Sequence, residues 1–128
     1  MPARGVSAHR RDEVNVQIFG TRKCQETKKA ERFFRERKIS FQFVDLAEKG
    51  VSAGELRSVA ASLGLETLVD TEGRRFTDKG LGYQDYDAEA EILADPLILR
   101  TPIVRDGQRA TVGYQPDAWR KWIKGKRG

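Results

Sequence analysis

The chain has 128 residues, of which 38% are apolar and 34% charged, a length and composition typical of one globular domain. Its single cysteine excludes an intramolecular disulfide and favours a reducing compartment. One histidine and one cysteine argue against a zinc site, which needs about four nitrogen or sulfur ligands. No apolar run approaches the ~18 residues that cross a bilayer, and the polar N-terminus lacks the apolar segment of a signal peptide. We therefore expect a soluble, cytoplasmic protein with no membrane association and no bound metal.

The positive charge is concentrated in one part of the sequence. Residues 22–38 hold eight lysines or arginines against three glutamates, an excess equal to the net charge of +5, so basic and acidic residues elsewhere balance in number. A basic segment is compatible with nucleic-acid binding, but no recognition motif accompanies this one. We therefore expect no direct contact with nucleic acid, and a local positive field around the only cysteine.

The N-terminal part predicts a β–α–β unit behind a tail. Residues 1–13 are polar and aperiodic, which predicts a flexible tail. Residues 14–19 alternate apolar and polar side chains, as a strand does, and Gly20 ends the alternation. A helical pattern begins at about Lys23, and alternation returns at 40–46. Two parallel strands joined by a crossover helix account for this order.

The middle of the chain predicts helices. Ser52 and Glu55 form a capping box in front of a helical apolar stripe that ends at Gly64. Residues 66–86 follow no clear period, and Asp87 is suited to cap a short helix over 88–93. The best candidates for buried anchors in the aperiodic segment are Leu68, Val69 and Phe76.

The C-terminal part predicts a hairpin and a final helix. Residues 97–99 lead into a strand at 101–104, and 110–114 form the return strand, because Asp106-Gly107 is a strong turn signal. Pro116 and Asp117 begin the last helix, and residues 125–128 are expected to fray. Two tryptophans of this helix are expected in the core: Trp119 and Trp122.

The order of these elements predicts the fold class. A β–α–β unit, a helical insertion, a β-hairpin and a terminal helix form the topology of a thioredoxin-like α/β domain. We expect this domain to span residues 14–124.

Cys24 is the best candidate for a reactive side chain. It lies in the turn after the first predicted strand, at the start of the first helix, where free N–H groups and the helix dipole favour a thiolate. Arg22 and Lys23 add positive charge, and such surroundings lower a cysteine pKa from about 8.5 into the range ~3.5–7.5. The alternative is an inert cysteine that fills space in the core. The position at a helix N-terminus favours the nucleophile.

Thr101-Pro102 opens the predicted third strand, where a proline removes no ladder hydrogen bond. Only about 5–6% of X–Pro bonds in folded proteins are cis. The residues themselves do not decide between cis and trans.

Three segments together resemble the signature stretches of the arsenate reductase/Spx family. They are FGTRKCQETKKA at 19–30, LILRTPIV at 97–104 and VGY at 112–114. The resemblance extends from about residue 14 to 122. It implies a thioredoxin-like fold with a helical insertion, in which Pro102 is cis and faces Cys24 across the active-site groove.

The resemblance also implies a thiol-dependent oxidoreductase in which Cys24 attacks the substrate as a thiolate. Glutathione would release the sulfur as a co-substrate, a glutaredoxin is a further candidate partner, and no cofactor would be held tightly. Arg100 would hold an anionic group, and the Thr101 main chain would bind a thiol tripeptide. The full set of expected substrate-binding residues is Arg22, Lys23, Thr27, Arg100, Thr101 and Pro102.

The chain departs from the oxyanion-binding members of the family. Those members place an arginine immediately before the cis proline, where this chain has Thr101 preceded by Arg100, and another near the return strand, where it has Val112-Gly113. A third belongs in the middle segment, where Arg74 and Arg75 do not clearly match. A threonine cannot replace the bidentate guanidinium fork. This pattern disfavours arsenate as the substrate and favours the glutathione-dependent thiol reductases of the family.

Spx-like regulators and some redox members carry Cys-x-x-Cys, and Thr27 stands where the second cysteine would be. An oxidised Cys24 therefore needs an outside thiol, and anionic glutathione suits its basic surroundings. The alternative function is an Spx-like transcriptional regulator or protein-binding module that contacts RNA polymerase, with the basic helix as its docking face.

Overall fold

A four-stranded sheet carries helices on both of its faces. The computed structural model describes residues 16–127, with side chains as far as residue 124, so the predicted tail 1–13 and Gly128 lie outside the described residues. The elements in chain order are β1 (Val16–Gly20), α1 (Gln25–Glu36), β2 (Phe41–Asp45), α2 (Ala53–Leu63), α3 (Leu65–Leu68), α4 (Arg74–Asp78), α5 (Ala88–Ala94), β3 (Ile103–Asp106), β4 (Arg109–Val112) and α6 (Pro116–Arg127). Single 3₁₀ turns occur at Leu81–Tyr83 and Pro96–Ile98.

The sheet has the strand order β2-β1-β3-β4. Strands β1 and β2 are parallel and are joined by α1, whereas β3 is antiparallel to both β1 and β4. The hairpin between β3 and β4 turns at Gly107, whose φ of +66° lies in the left-handed region that favours glycine. This is the topology that the sequence predicts, and the thioredoxin-like fold class is correct.

Helices α1 and α6 cover one face of the sheet. Phe33 and Phe34 of α1 pack against Trp119 of α6, with ring centroids 5.2 and 5.3 Å from the indole. The Trp119 Nε1–H donates a 2.8 Å hydrogen bond to Thr111 Oγ1 of β4, so its one polar atom is satisfied. Trp119 and Trp122 are both buried, which confirms their predicted place in the core.

Helices α2 to α5 cover the opposite face. Phe19 of β1 and Ile103 of β3 project from the sheet into this second core. The predicted capping box begins α2: the Ser52 hydroxyl accepts the Glu55 N–H at 3.1 Å, and the Glu55 carboxylate accepts the Ser52 N–H at 2.9 Å. Helix α2 contributes buried residues to the core from one side, namely Leu56 and Val59.

The aperiodic segment 66–86 folds into elements too short to show a helical period. Helices α3 and α4 have four and five residues. The three predicted anchors are nevertheless buried, with Leu68 at 0%, Val69 at 1% and Phe76 at 8% exposure. Val69 also forms an isolated β-bridge with Leu99, which ties the insertion to the chain just before β3.

Strand β3 covers 103–106 and not 101–104, and β4 covers 109–112 and not 110–114. The element boundaries differ from the predicted ones in two further places. Residues 97–99 do not extend a strand, because Pro96–Ile98 forms a 3₁₀ turn that Asp95 caps through the Leu97 N–H at 3.3 Å. Helix α6 continues to Arg127, beyond the predicted limit at residue 124. None of these differences changes the topology.

Candidate active site

Cys24 is the N-cap residue of α1 and follows the turn after β1. The Cys24 N–H donates to the Thr21 carbonyl at 3.2 Å, which closes that turn, and the Cys24 carbonyl accepts the Lys28 N–H at 3.2 Å as the first helical bond. Cys24 is partly exposed. Cys24 is therefore partly open to solvent at the helix N-terminus, where the sequence predicts it.

The Cys24 sulfur contacts Thr101 from the far part of the chain. The Thr101 hydroxyl donates to Sγ at 3.1 Å, and the thiol donates to the Thr101 carbonyl at 3.7 Å. The sequence predicts a binding role for the Thr101 main chain but not this side-chain contact. The sequence signal that points to it is a hydroxyl residue directly before the proline.

Thr27 lies in the first turn of α1 and is fully buried, at 0% exposure. Its Oγ1 has no hydrogen-bond partner among the described residues. A Cβ atom at Gly20 would overlap the Thr27 side chain, so the end of β1 approaches α1 closely only because residue 20 is glycine. Ionisation of Cys24 would give this hydroxyl an acceptor, because the Thr27 side chain is among the groups that lower the pKa of the thiol.

The pKa of the Cys24 thiol is lowered from its ordinary value. Burial of the sulfur raises the pKa, but the Thr101 hydroxyl, which donates a hydrogen bond to Sγ, and the neighbouring Thr27 hydroxyl and N–H groups of Thr27 and Glu26 together outweigh it. These donors favour the thiolate because a negative sulfur is the stronger acceptor. The site is therefore built to ionise the sulfur at a lower pH than a free cysteine would.

The peptide bond between Thr101 and Pro102 is cis, as the family resemblance implies. The Pro102 carbonyl accepts the Gly113 N–H at 2.8 Å, which fixes the loop before β3 against the residue that follows β4. This arrangement holds Thr101 opposite Cys24.

Arg22 and Lys23 do not hold the thiolate as the sequence predicts, and their binding of substrate stays a prediction. The Arg22 guanidinium lies 3.5 Å from the Asp45 carboxylate and 5.1 Å from the centre of the Phe43 ring. Lys23 is exposed and forms no ion pair with a described residue. The lowered pKa of Cys24 comes from hydrogen bonds, and neither cation is among its causes.

Arg100 is held by the insertion. Its Nε donates to the Thr67 carbonyl at 3.1 Å, its Nη1 lies 3.7 Å from Asp70 Oδ1, and its backbone N–H donates to the Leu68 carbonyl at 2.7 Å. These contacts direct the guanidinium toward α3. Binding of an anionic group by Arg100 stays a prediction.

Two further charged side chains, Glu26 and Arg75, are relevant to whether the site can hold an oxyanion. The Glu26 carboxylate lies beside Gly113, with Oε1 3.7 Å from where a Cβ would stand. Arg75, one of the two middle-segment arginines, pairs with Asp95 at 3.0 Å. No sequence pattern pointed to Glu26, because its proximity to Gly113 depends on how α1 packs beside the hairpin.

Within the described part of the chain, no group of three or more histidine, cysteine, aspartate or glutamate side chains is arranged to hold a metal ion. The helices of residues 16–127 are all too short or too polar to cross a membrane.

A family model described as the ArsC family matches residues 19–122. Among curated proteins, the global transcriptional regulator Spx 2 of Bacillus anthracis is 23% identical over 113 residues, which cover 84% of this chain and 86% of that protein. The YusI protein of Bacillus subtilis is 26% identical over 111 residues, or 81% of this chain and 94% of that protein.

Solved structures agree with the fold. The YffB protein superposes with a TM-score of 0.77 at 27% identity and covers 85% of this chain and 99% of its own. An arsenate reductase from Vibrio cholerae superposes with a TM-score of 0.74 over 85% of this chain and 98% of its own, and its 19% identity supports the fold alone.

Proposed function

The chain belongs to the ArsC family, and on that basis we propose that it is a thiol-dependent oxidoreductase whose nucleophile is Cys24. The main support is the 3.1 Å hydrogen bond that the Thr101 hydroxyl donates to the partly exposed sulfur. A cysteine that only fills space needs no donors at its sulfur. The lowered pKa of Cys24 increases the fraction of thiolate, the form that attacks.

The proposed substrate is a mixed disulfide between glutathione and another thiol. The Cys24 thiolate attacks the glutathione sulfur, so a bond forms between these two sulfurs and the original disulfide bond breaks. The other thiol leaves as a thiolate and takes up a proton from water. The substrate thiol is reduced, and Cys24 is left in a disulfide with glutathione.

A second thiol completes the cycle, because Cys24 is the only cysteine of the chain. A glutathione thiolate attacks the glutathione sulfur of the mixed disulfide, releases the Cys24 thiolate and leaves as glutathione disulfide. A glutaredoxin thiol would serve the same step. This chemistry belongs in a thiol-rich, reducing compartment such as the cytoplasm.

The proposed binding site uses the loop that precedes β3. The Thr101 main chain beside cis Pro102 would bind the tripeptide backbone, and Arg100 would hold a carboxylate after a shift from Asp70. Arsenate fits less well, because Arg75 is paired with Asp95 and the Glu26 carboxylate lies beside Gly113. A carboxylate at that position repels an oxyanion.

A second candidate function is that of a regulator that binds a protein, with RNA polymerase as the proposed partner. Its support is the similarity to proteins named global transcriptional regulator Spx, over 84% of this chain for the Bacillus anthracis protein. The lack of a second cysteine removes a Cys-x-x-Cys switch and makes this function second to the reductase.

Intact mass spectrometry after exposure to oxidised glutathione tests the proposal. We expect one glutathione adduct on the wild-type protein and none on Cys24→Ser, which keeps its circular dichroism spectrum. The wild type should then reduce a glutathionylated substrate in the presence of glutathione and leave arsenate unchanged.

Absence of an adduct would overturn the reductase function. Retention of RNA polymerase in a pull-down, together with no thiol-dependent turnover, would establish the regulator instead. Turnover of arsenate at a rate similar to that of the glutathionylated substrate would show that the proposed substrate class is wrong.

A further inference from the structure

Basic and acidic residues lie mainly on opposite faces of the sheet. Residues 45–95, which include α2 to α5, hold twelve aspartates or glutamates and five lysines or arginines, whereas residues 22–38 around α1 hold three and eight and residues 116–127 of α6 hold one and five. Helices α1 and α6 cover one face of the sheet and the insertion covers the other. The side with α1 and α6 is therefore strongly positive, and the side with the insertion is negative.

The exposed cations of α1, of α6 and of the turns at the ends of α1 form a surface that we call the basic face. In the part of the chain with described side chains they are Arg22, Lys23, Lys28, Lys29, Arg32, Arg35, Arg37, Lys38, Arg120, Lys121 and Lys124.

Most cations of the basic face form no ion pair with a described residue, and the exceptions are Arg22 with Asp45 at 3.5 Å and Arg120 with Asp117 at 2.6 Å. On the insertion side, Arg57, Arg75 and Lys79 lie 3.0, 3.0 and 3.8 Å from carboxylate oxygens of the same insertion. From Lys23 to Lys38, no lysine or arginine lies within 4.0 Å of a carboxylate of another described residue. The cations of α1 are therefore not held in close ion pairs with described residues, although Glu26, Glu31 and Glu36 of the same helix reduce its net charge.

Aromatic rings hold several of these cations instead. The Arg37 guanidinium lies 3.8 Å from the centre of the Phe33 ring, and that of Arg120 lies 5.9 Å from the same ring. Lys29 lies 5.7 Å from the centre of the Tyr114 ring. A ring orients a cation without cancelling its charge. The shared Phe33 ring also shows that the charges of α1 and α6 form one continuous surface.

The nucleophile lies at one end of this surface. Cys24 is the N-cap of α1, and the twelve residues of the helix extend from it for about 18 Å at ~1.5 Å per residue. A tripeptide at the sulfur is too short to cover that length. A partner that uses the whole surface is therefore larger than glutathione and must also bring a sulfur to Cys24.

We infer that the basic face docks the acidic surface of a protein whose glutathionylated cysteine is the substrate of Cys24. The inference rests on the proposed function and names its substrate class. Nucleic acid is the other polyanion that such a surface attracts, but it carries no disulfide for Cys24 to attack. Charge on this face would raise the rate of encounter with the acidic partner and orient its disulfide toward the helix N-terminus.

Two synthetic peptides of equal length test this inference. Each carries one glutathionylated cysteine, with aspartates and glutamates around it in one peptide and lysines in the other. We expect Cys24 to react with the acidic peptide about 10-fold faster at low salt, within the range that electrostatic steering produces, and we expect salt to reduce the difference. Hydroxyethyl disulfide, which is small and neutral, reports the reactivity of the sulfur alone.

Matched variants identify the surface. The double variant Lys28→Gln/Arg32→Gln removes two exposed cations of α1, and Lys49→Gln/Arg74→Gln removes two from the insertion side. Both change the net charge equally. The first should lose most of the preference for the acidic peptide, the second should keep it, and neither should change the rate with hydroxyethyl disulfide.

The outcomes separate the two proposals. If Cys24 reacts with no disulfide, the proposed function is wrong and the docking inference is lost with it. If it reacts with both peptides at equal rates, the function stands and the docking inference is wrong. A third outcome would assign the basic face to nucleic acid. In that outcome the protein shows no preference between the peptides but binds a short DNA duplex at physiological salt, and only the α1 double variant loses this binding.

Discussion

The Thr101 hydroxyl lies 3.1 Å from the Cys24 sulfur, although 77 positions separate the two residues in the chain. The antiparallel pairing of β1 and β3 brings the start of α1 and the loop before β3 to the same end of the sheet. The Thr101 carbonyl also accepts a hydrogen bond from the thiol, with a distance of 3.7 Å between Sγ and the oxygen. One residue thus provides a partner for each protonation state of the sulfur: the carbonyl for the thiol and the hydroxyl for the thiolate.

Replacement of Thr101 by valine should raise the pKa of Cys24. The side chain keeps its shape but loses the donor, and loss of a bond worth about 1.5 kcal/mol slows alkylation at neutral pH by about 10-fold. The pH dependence of iodoacetamide alkylation measures this change. Thr101→Ser keeps the hydroxyl and is the control. An unchanged pH profile in Thr101→Val would show that the hydrogen bond does not hold the thiolate.

Thr27→Val should make the fold more stable and Cys24 less reactive. The buried Thr27 hydroxyl has no partner among the described residues while the thiol is neutral, so its removal should stabilise the fold by about 1 kcal/mol at acidic pH. The same change should raise the pKa of Cys24, because the thiolate loses a donor. Urea unfolding and the alkylation profile measure the two effects. A variant that is less stable and equally reactive would contradict both.

The lowered pKa of Cys24 should make the stability of the reduced protein depend on pH. The thiolate is favoured in the folded state, so its contribution is fully present above the unfolded pKa of about 8.5 and is lost as pH falls through the lower folded value. The difference in unfolding free energy between wild type and Cys24→Ser should therefore grow with pH and level off above that value. Urea unfolding under reductant measures it. A difference that stays constant would mean that folding does not change the pKa.

Gly20→Ala should move α1 away from β1. A Cβ at residue 20 overlaps the Thr27 side chain, and overpacking of this kind costs about 1–3 kcal/mol. The displacement should also raise the pKa of Cys24 by disturbing the Thr27 donors. Gly54→Ala is the matched control, because a Cβ at Gly54 in α2 meets no atom within 4 Å. Equal stability of the two variants would show that the contact between Gly20 and Thr27 does not exclude a side chain at residue 20.

Much of the fold was predictable because its signals are local. The capping box at Ser52 and Glu55, the turn at Gly107 and the two tryptophans of α6 each follow from neighbouring residues alone. The segment 66–86 was not predictable in detail, since helices of four and five residues cover barely one turn each. Only the burial of its apolar anchors could be read from the sequence.

The site was predictable in position but not in mechanism. A cysteine at the start of a basic helix suggested that neighbouring cations hold the thiolate. In the structure Arg22 pairs with Asp45, and the donors to the sulfur come from Thr101 and Thr27. The Thr101 contact depends on the pairing of β1 with β3, and a local pattern around Cys24 contains no information about it.

Because residue 27 is a threonine, the chain has no second thiol that could release a partner bound covalently to Cys24. A chain with a thiol there can expel its bound partner by itself, at a rate set by its own geometry. If Cys24 forms the proposed adduct, its lifetime in this chain would be set by the concentration of thiols in the surrounding medium. The adduct would persist when the cell's thiol pool is depleted, so its occupancy would report how oxidised that pool has become.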